Sequence, residues 1–237
     1  MYRTLKLDIK GAIAIVTLNR PESRNAMSAQ LMREMIACAA RIAARRDVDV
    51  AIVRGSGACF SAGADLKNSR RWSNTGQPLD QQREIAALDW RVMARNAFVS
   101  LPEIALGIPL TWGTIPRLVN LLGPAKAKRL TILCERVTAE QALSMGLADF
   151  LAPPGKALKA ARGLAAQVRA LPRNSVRMSK ESVNAYANIG AHAASHMAHD
   201  QVQLAAASPE AKAAREAFAL RKKKAASPAR SRARRAR

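Results

Sequence analysis

The chain has 237 residues, of which 49% are apolar and 24% are charged, and its formal net charge is +22. This composition excludes a disordered chain and predicts a soluble globular protein that buries one substantial core. The excess of positive charge favours acidic partners, such as a ligand that carries several phosphates.

The first part of the chain predicts a β-hairpin followed by a helix. Residues 2–8 alternate in polarity, Lys10-Gly11 forms a turn, and residues 12–18 are rich in β-branched side chains. Ser28 is a good N-cap for a helix over residues 29–46. Apolar side chains recur there at helical spacing, at Leu31, Met35, Cys38, Ala39 and Ile42.

A short buried strand over residues 48–53 and a glycine-containing turn over residues 55–57 come next. The order strand, strand, helix, strand, turn is typical of an α/β protein. The Gly- and Pro-rich residues 102–116 predict a loop, and residues 147–151 a last strand. Further helices are predicted over residues 79–94, 124–133 and 138–145, with about three more after residue 156.

The stretch ACFSAGADLK, residues 58–67, contains almost no reactive side chain. Small residues let a ligand approach the backbone, and N–H groups at a turn can donate to an oxygen that becomes negative. A tight turn into which small residues merely fit is the alternative interpretation of this stretch.

Several segments together resemble the enoyl-CoA hydratase/isomerase, or crotonase, superfamily, and they occur in the family's order. These segments are NRPESRNAMS (19–28), ACFSAGADLK (58–67), LPEIALGIP (101–109), WGTIPRLVNLLGPAKAKRL (112–130), TAEQALSMGLADFLAP (138–153), MSKESVNA (178–185) and EAKAAREAFALRKKKA (210–225). The resemblance implies a ββα spiral followed by helices, with a core over residues 1–155, a helical oligomerisation region over 156–220 and a disordered basic tail over 221–237.

The resemblance also implies acyl-CoA thioester substrates, no cofactor besides the coenzyme A of the substrate, and assembly as a trimer or a pair of trimers. Family members hold the thioester oxygen with two backbone N–H groups, and Ala64 matches the position of one donor. Glu103 matches a catalytic glutamate, whose pKa would be raised by burial in an acyl pocket. The matching substrate-binding residues are Arg24, Ala62, Ala64, Asp65, Leu66 and Lys67.

One family feature is absent from the sequence between residues 77 and 90. Family members have a buried strand and a Gly-Gly-Gly turn there, which supplies the second oxyanion N–H, whereas this sequence contains no Gly-Gly pair. Residues 88–98 resemble the segment that follows the turn. The chain is therefore either a shortened family member or a sequence that has lost an internal segment.

The reaction that the resemblance favours is hydration of a 2-enoyl-CoA. Double-bond isomerisation needs only one carboxylate and the same enolate, and a crotonase-fold interaction protein without turnover is the other alternative.

Nucleic-acid binding would be confined to residues 221–237, where nine positive charges stand without an acid. Three widely spaced cysteines predict reduced thiols, and no leader or membrane span is expected, so we expect a cytoplasmic protein. His192, His196 and His199 share a predicted helix face with Asp200, which could ligate zinc or be a polar face at a subunit contact.

Overall fold

The computed structural model describes residues 1–65, 88–110, 113–187, 189, 201, 204–205 and 207–226, with side chains as far as Arg221. The helices are α1 (Ala29–Ala43), α2 (Thr114–Ile132), α3 (Ala139–Met145), α4 (Ala157–Arg169), α5 (Arg173–Ala187) and α6 (Pro209–Ala226). The strands are β1 (Leu5–Lys10), β2 (Ile13–Leu18), β3 (Val50–Gly55), β4 (Val92–Ala94), β5 (Phe98–Val99), β6 (Val137–Thr138) and β7 (Phe150–Ala152). Two 3₁₀ turns span Pro21–Ser23 and Ile104–Leu106.

The chain divides into two compact units. The first unit contains Met1–Ala94 and Ala152–Tyr186, and the second contains Arg95–Leu151 and Ala187–Arg237. The α/β character that the sequence predicts is confirmed, since the first unit combines a sheet with helices.

The sheet of the first unit has the strand order β1-β2-β3. β1 and β2 form the predicted antiparallel hairpin, with Leu5 opposite Leu18, and Gly11 takes a positive φ of 57° in the turn. β3 runs parallel to β2, with Leu18 opposite Gly55. Because β2 and β3 are parallel, their C-terminal ends lie at the same end of the sheet.

The two faces of this sheet are covered by different helices. On one face α1 buries Leu31 and Cys38 against Leu5, Val16 and Leu18. On the other face α4 packs Ala165 against Ile15 and Ile52. The predicted cap of α1 is confirmed, because the Ser28 hydroxyl accepts the Leu31 N–H at 3.2 Å. The first unit is thus a layered α/β structure that holds the β2 and β3 ends in place.

The second unit is mainly helical. α2 changes direction at Gly123, whose φ of 74° and ψ of 163° are not helical, immediately before Pro124. α3 begins with a capping box between Thr138 and Gln141. The 3₁₀ turn Ile104–Leu106 packs against α6.

Two predicted boundaries differ from the structure, and one helical segment was not predicted. β4 is a strand, so the helix predicted over residues 79–94 is wrong at its end, and its residues 79–87 lie outside the described part. The helix predicted to begin at Pro124 is confirmed, since the non-helical Gly123 interrupts α2 directly before it, but the helical residues 114–122 were not predicted as helix. α6 continues to Ala226, within the segment predicted as a disordered tail, and residues 227–237 lie outside the described residues.

The three cysteines are free thiols, as predicted. Among the helices that the structure describes, none is both long and apolar enough to cross a bilayer.

Candidate functional site

The chain leaves β3 through a tight turn that only glycine permits at its first position. A Cβ atom on Gly55 would lie 2.5 Å from the Cys59 carbonyl oxygen and 2.7 Å from the Phe60 Cα. Gly57 then takes a φ of 73°. The loop over residues 56–65 is thereby folded back against the end of the sheet.

The loop is fixed to the segment before α1 by a parallel bridge between Met27 and Ala64. The Met27 N–H donates to the Gly63 carbonyl at 2.8 Å, and the Asp65 N–H donates to the Met27 carbonyl at 3.1 Å. In a parallel bridge of this kind the central residue of the opposite strand contributes neither its N–H nor its C=O. The Ala64 N–H therefore points away from Met27.

Ala64 is exposed, as are its neighbours Ala62 and Gly63. Within the described residues, the Ala64 N–H has no acceptor. The structure thus presents a backbone donor on an open surface bordered by small residues, which a ligand oxygen can approach closely. This arrangement supports the functional interpretation of the stretch over the simple tight turn.

The side chain of Asp65 faces the protein interior. It is 6% exposed, and its Oδ2 accepts a hydrogen bond from the Arg20 guanidinium at 2.9 Å. The same guanidinium donates to the Ala26 carbonyl at 2.5 Å. The Asp65 side chain therefore helps to anchor the loop, and its predicted contact with coenzyme A stays a prediction.

Arg24 lies beside this loop, with an exposed side chain. Its backbone is left-handed, with a φ of 53°, and its carbonyl accepts the Ala62 N–H at 3.0 Å. The structure therefore brings Arg24, Ala62, Ala64 and Asp65 together in the first unit. Leu66 and Lys67, the other predicted substrate-binding residues, lie outside the described part of the chain.

Arg20 and Asn25 are structural residues of this region that the sequence does not single out. Asn25 is completely buried, and its side-chain amide donates to two carbonyls of the loop. Both residues lie in the segment NRPESRNAMS, where an arginine and an asparagine look like ordinary turn residues. Their partners are more than thirty positions away, so only the fold identifies them.

Glu103 belongs to the second unit, where it precedes the 3₁₀ turn Ile104–Leu106. Its carbonyl accepts the N–H groups of Leu106 and Ile108 at 2.9 and 3.1 Å, which fixes the backbone at this position. The turn is packed closely, because a Cβ on Gly107 would lie 2.5 Å from the Ala211 Cα of α6.

The carboxyl group of Glu103 is chemically unusual. Its Oε2 atom is buried and has no hydrogen-bond partner in the described structure. Burial raises the pKa of Glu103, and a hydrogen bond from its own backbone partly opposes this effect. A buried carboxyl with a raised pKa and a free oxygen is suited to accept and return a proton.

The predicted helix face with three histidines and an aspartate cannot be placed in the structure. His192, His196, His199 and Asp200 lie outside the described residues. Elsewhere in the described chain, no group of three or more possible metal ligands comes together.

A sequence model described as enoyl-CoA hydratase/isomerase matches this chain over residues 8–84 and 83–226. A probable enoyl-CoA hydratase of Rhizobium meliloti is 30% identical over 210 residues, an alignment that covers 77% of this chain and 82% of the relative. A short-chain-enoyl-CoA hydratase of Clostridium acetobutylicum is 27% identical over 208 residues, which cover 75% of this chain and 80% of the relative.

Solved structures show the same similarity. An enoyl-CoA hydratase of Mycobacterium tuberculosis superposes with a TM-score of 0.75 and 26% identity, covering 87% of this chain and 100% of that chain. An enoyl-CoA hydratase/isomerase of Pseudoalteromonas atlantica superposes with a TM-score of 0.84, covering 92% of this chain and 98% of that chain. At 21% identity, this second similarity concerns the fold alone.

Proposed function

The chain belongs to the enoyl-CoA hydratase/isomerase family, and we propose that it hydrates a 2-enoyl-CoA thioester. In this reaction water adds its oxygen to C3 and a proton is delivered to C2. Negative charge develops on the thioester oxygen during the addition, so a fixed N–H aimed at that oxygen lowers the barrier. The observation that carries the proposal is the outward Ala64 N–H, which lies in a loop that the family match includes.

Glu103 is proposed as the group that moves the proton. Its raised pKa brings the carboxyl closer to the range in which a general acid or base works best at neutral pH. Its Oε2 is buried and has no hydrogen-bond partner among the described residues, so no described group competes for the proton that this oxygen would carry. These properties support the role, which the family position of Glu103 first indicated.

Coenzyme A would be bound as part of the substrate, with no other cofactor. The small residues Ala62 and Ala64 leave room for the pantetheine chain beside the backbone. Arg24 is exposed at the same loop and is proposed to contact a phosphate. The same role is proposed for Lys67 from its place in the motif ACFSAGADLK. A pathway role in fatty acid metabolism and a cytoplasmic location belong to the same proposal.

The family match bears on the proposed missing segment. It comes in two parts that meet at residues 83 and 84, inside the stretch 77–90 where the Gly-Gly-Gly turn is missing from the sequence. We assign no residue to the second oxyanion donor, whose loss typically lowers the rate by about 10²- to 10³-fold. Binding without turnover is an alternative function for this reason, and isomerisation is another because it needs only one carboxylate.

Assembly into a trimer or a pair of trimers is also proposed. α5 has no buried side chain among its residues, although its apolar side chains fall on one side of the helix. Met178, Val183 and Tyr186 are 67%, 66% and 82% exposed. An apolar helix face of this kind is typical of a surface that another protein covers. This face also supports the alternative of a non-catalytic family member that assembles with intact homologues.

Turnover of crotonyl-CoA tests the proposal, followed as loss of the absorbance of the conjugated thioester. We expect measurable hydration by the wild type and a loss of about 10²- to 10⁴-fold in kcat for Glu103→Gln. Glu140→Gln is the matched control, because Glu140 is an exposed glutamate whose known contact is an ion pair with Arg95 at 3.3 Å. A wild type that binds coenzyme A without any turnover would reject hydration and favour the non-catalytic alternative.

A further inference from the structure

We infer that Asn25 is the positioning residue that sets the direction of the Ala64 N–H. The inference rests on the proposed function, because that donor matters only if a thioester oxygen approaches it. Asn25 has no exposed surface, so it cannot touch a substrate itself. Its effect on the reaction must therefore be transmitted through the loop.

The side chain of Asn25 joins three separate parts of the backbone. Its Nδ2 group donates to the Ser56 carbonyl at 2.9 Å and to the Cys59 carbonyl at 2.7 Å. Its Oδ1 atom accepts the Arg20 N–H at 2.8 Å. Both N–H donors of the amide and one lone pair of its oxygen are thereby occupied, and these bonds hold the first half of the loop to the turn that follows β2.

The backbone of Asn25 holds the second half of the loop. Its N–H donates to the Arg20 carbonyl at 2.8 Å, while its carbonyl accepts the Ser61 hydroxyl at 3.0 Å. The oxygen of that hydroxyl in turn accepts the Gly63 N–H at 3.2 Å. A chain of two hydrogen bonds thus leads from Asn25 to the residue directly before Ala64.

The backbone conformation explains why an asparagine occupies this position. Asn25 has a φ of 54°, a left-handed conformation that asparagine adopts more readily than most residues other than glycine. Glycine would keep the conformation but lose the side-chain bonds, and alanine would lose both. Asparagine alone combines a left-handed backbone with two N–H donors and one acceptor on a short side chain.

The position of the loop matters because a shift of about 1 Å in a group that contacts the reacting atoms can lower a rate by about 10²-fold. The parallel bridge to Met27 begins two residues after Asn25 and determines which way Ala64 faces. Weakening the Asn25 bonds should therefore reduce the polarisation of a bound thioester while the coenzyme A contacts remain.

Two variants test this. Asn25→Asp keeps the size and the left-handed preference but places an oxygen against the Ser56 and Cys59 carbonyls in place of an N–H donor. Ser61→Ala breaks the path to Gly63 at a half-buried side chain, where misfolding is less of a concern. The matched control is Ser144→Ala, which also removes a hydroxyl that donates to a carbonyl, at 3.0 Å within α3.

The measurements are kcat and KM with crotonyl-CoA, and the absorption maximum of bound cinnamoyl-CoA, which moves to longer wavelength when the carbonyl is polarised. We expect kcat to fall about 10-fold in Ser61→Ala and about 10²-fold in Asn25→Asp, with KM within about 3-fold. The wavelength shift should shrink in the same order, and Ser144→Ala should match the wild type.

Folded variants with the wild-type kcat and wavelength shift would overturn the inference, and if Asn25→Asp does not fold, Ser61→Ala decides alone. Equal losses in Ser144→Ala would also overturn it. If the wild type shifts the cinnamoyl-CoA absorption but does not turn over crotonyl-CoA, hydration is rejected and the inference is not. The inference is then decided by comparing the wavelength shift of the variants with that of the wild type. A wild type that binds the probe without any shift overturns both.

Discussion

Replacing Glu34 with glutamine tests the anchor that ties the start of β1 to α1. Glu34 Oε1 accepts the Arg3 N–H at 2.9 Å and the Gln30 amide at 2.7 Å. Its Oε2 accepts the Thr4 N–H at 2.8 Å and the Thr4 hydroxyl at 2.6 Å. Since Glu34 is 8% exposed, these donors converge on a carboxylate that has little contact with water.

The pKa of Glu34 gives the size of the effect. Burial by itself raises that pKa, but the hydrogen bonds from Thr4, Arg3 and Gln30 outweigh it and lower the pKa from 4.5 to about 2. Because one pKa unit corresponds to about 1.4 kcal/mol, the ionised carboxylate stabilises the fold by about 3 kcal/mol at neutral pH. This stabilisation is fully present above about pH 4.5 and is lost as the pH falls towards about 2.

The assay is urea unfolding of the wild type and Glu34→Gln at pH 7 and at pH 3. A glutamine must point its NH₂ group at two donors, so we expect the unfolding free energy to fall by about 3 kcal/mol at pH 7 and by clearly less at pH 3. The melting temperature at pH 7 should fall by about 6 to 12 °C.

Glu140→Gln is the control, and we expect it to change the unfolding free energy by less than about 1 kcal/mol, as is usual for an exposed ion pair. A loss for Glu34→Gln that is the same at both pH values would refute the reasoning, because the contribution would then not come from the carboxylate charge.

Two further changes have expected outcomes. Glu103→Gln should raise the unfolding free energy at pH 7, because burial raises the pKa of this carboxyl and its ionisation above that pKa destabilises the folded state. Below the ordinary glutamate pKa, residue 103 is uncharged in both the wild type and Glu103→Gln, so the gain should be smaller at pH 4 than at pH 7. Equal gains in unfolding free energy at the two pH values, measured in urea, would contradict this expectation. Gly55→Ala should lower the unfolding free energy measured in urea by about 1 to 3 kcal/mol, since its Cβ would meet the Cys59 carbonyl at 2.5 Å. Gly163→Ala in α4 is the matched control, because the added Cβ would meet nothing within 4 Å apart from the backbone of its own helix, and it should stabilise the fold by up to about 1 kcal/mol. A loss of stability in Gly163→Ala as large as that in Gly55→Ala would contradict the steric argument.

The elements that the sequence predicted well are those whose signals are local. The β1–β2 hairpin, the Ser28 cap and the helix α3 each depend on residues within a few positions of one another. Helix and strand propensities act over the same short range. The helical end of the chain was likewise predictable from its alanine content and its prolines.

The errors arise where distant contacts decide the structure. β4 consists of Val92, Met93 and Ala94, a sequence with good helix formers, yet it is a strand against which α4 packs. Tertiary contacts commonly override propensity in this way. The predicted domain boundary after residue 155 stays a prediction, whereas α6 crosses the one predicted after residue 220.

The candidate site was predictable only in part. The resemblance located the loop and Glu103, but the direction of the Ala64 N–H follows from its register against Met27, thirty-seven positions earlier in the sequence. The roles of Arg20 and Asn25 follow from similarly distant hydrogen bonds. A motif can indicate which backbone group is used, whereas only the fold determines where that group points.

The donor at position 64 belongs to the main chain, and this limits what mutation can do to it. Every amino acid except proline carries the same N–H, so nineteen of the twenty residue types preserve the donor itself. Related chains can therefore differ in the identity of this residue without losing the donor. The feature that must be inherited is the pairing of residues 27 and 64. An insertion or a deletion that changes this pairing is therefore more damaging than a substitution at the donor itself.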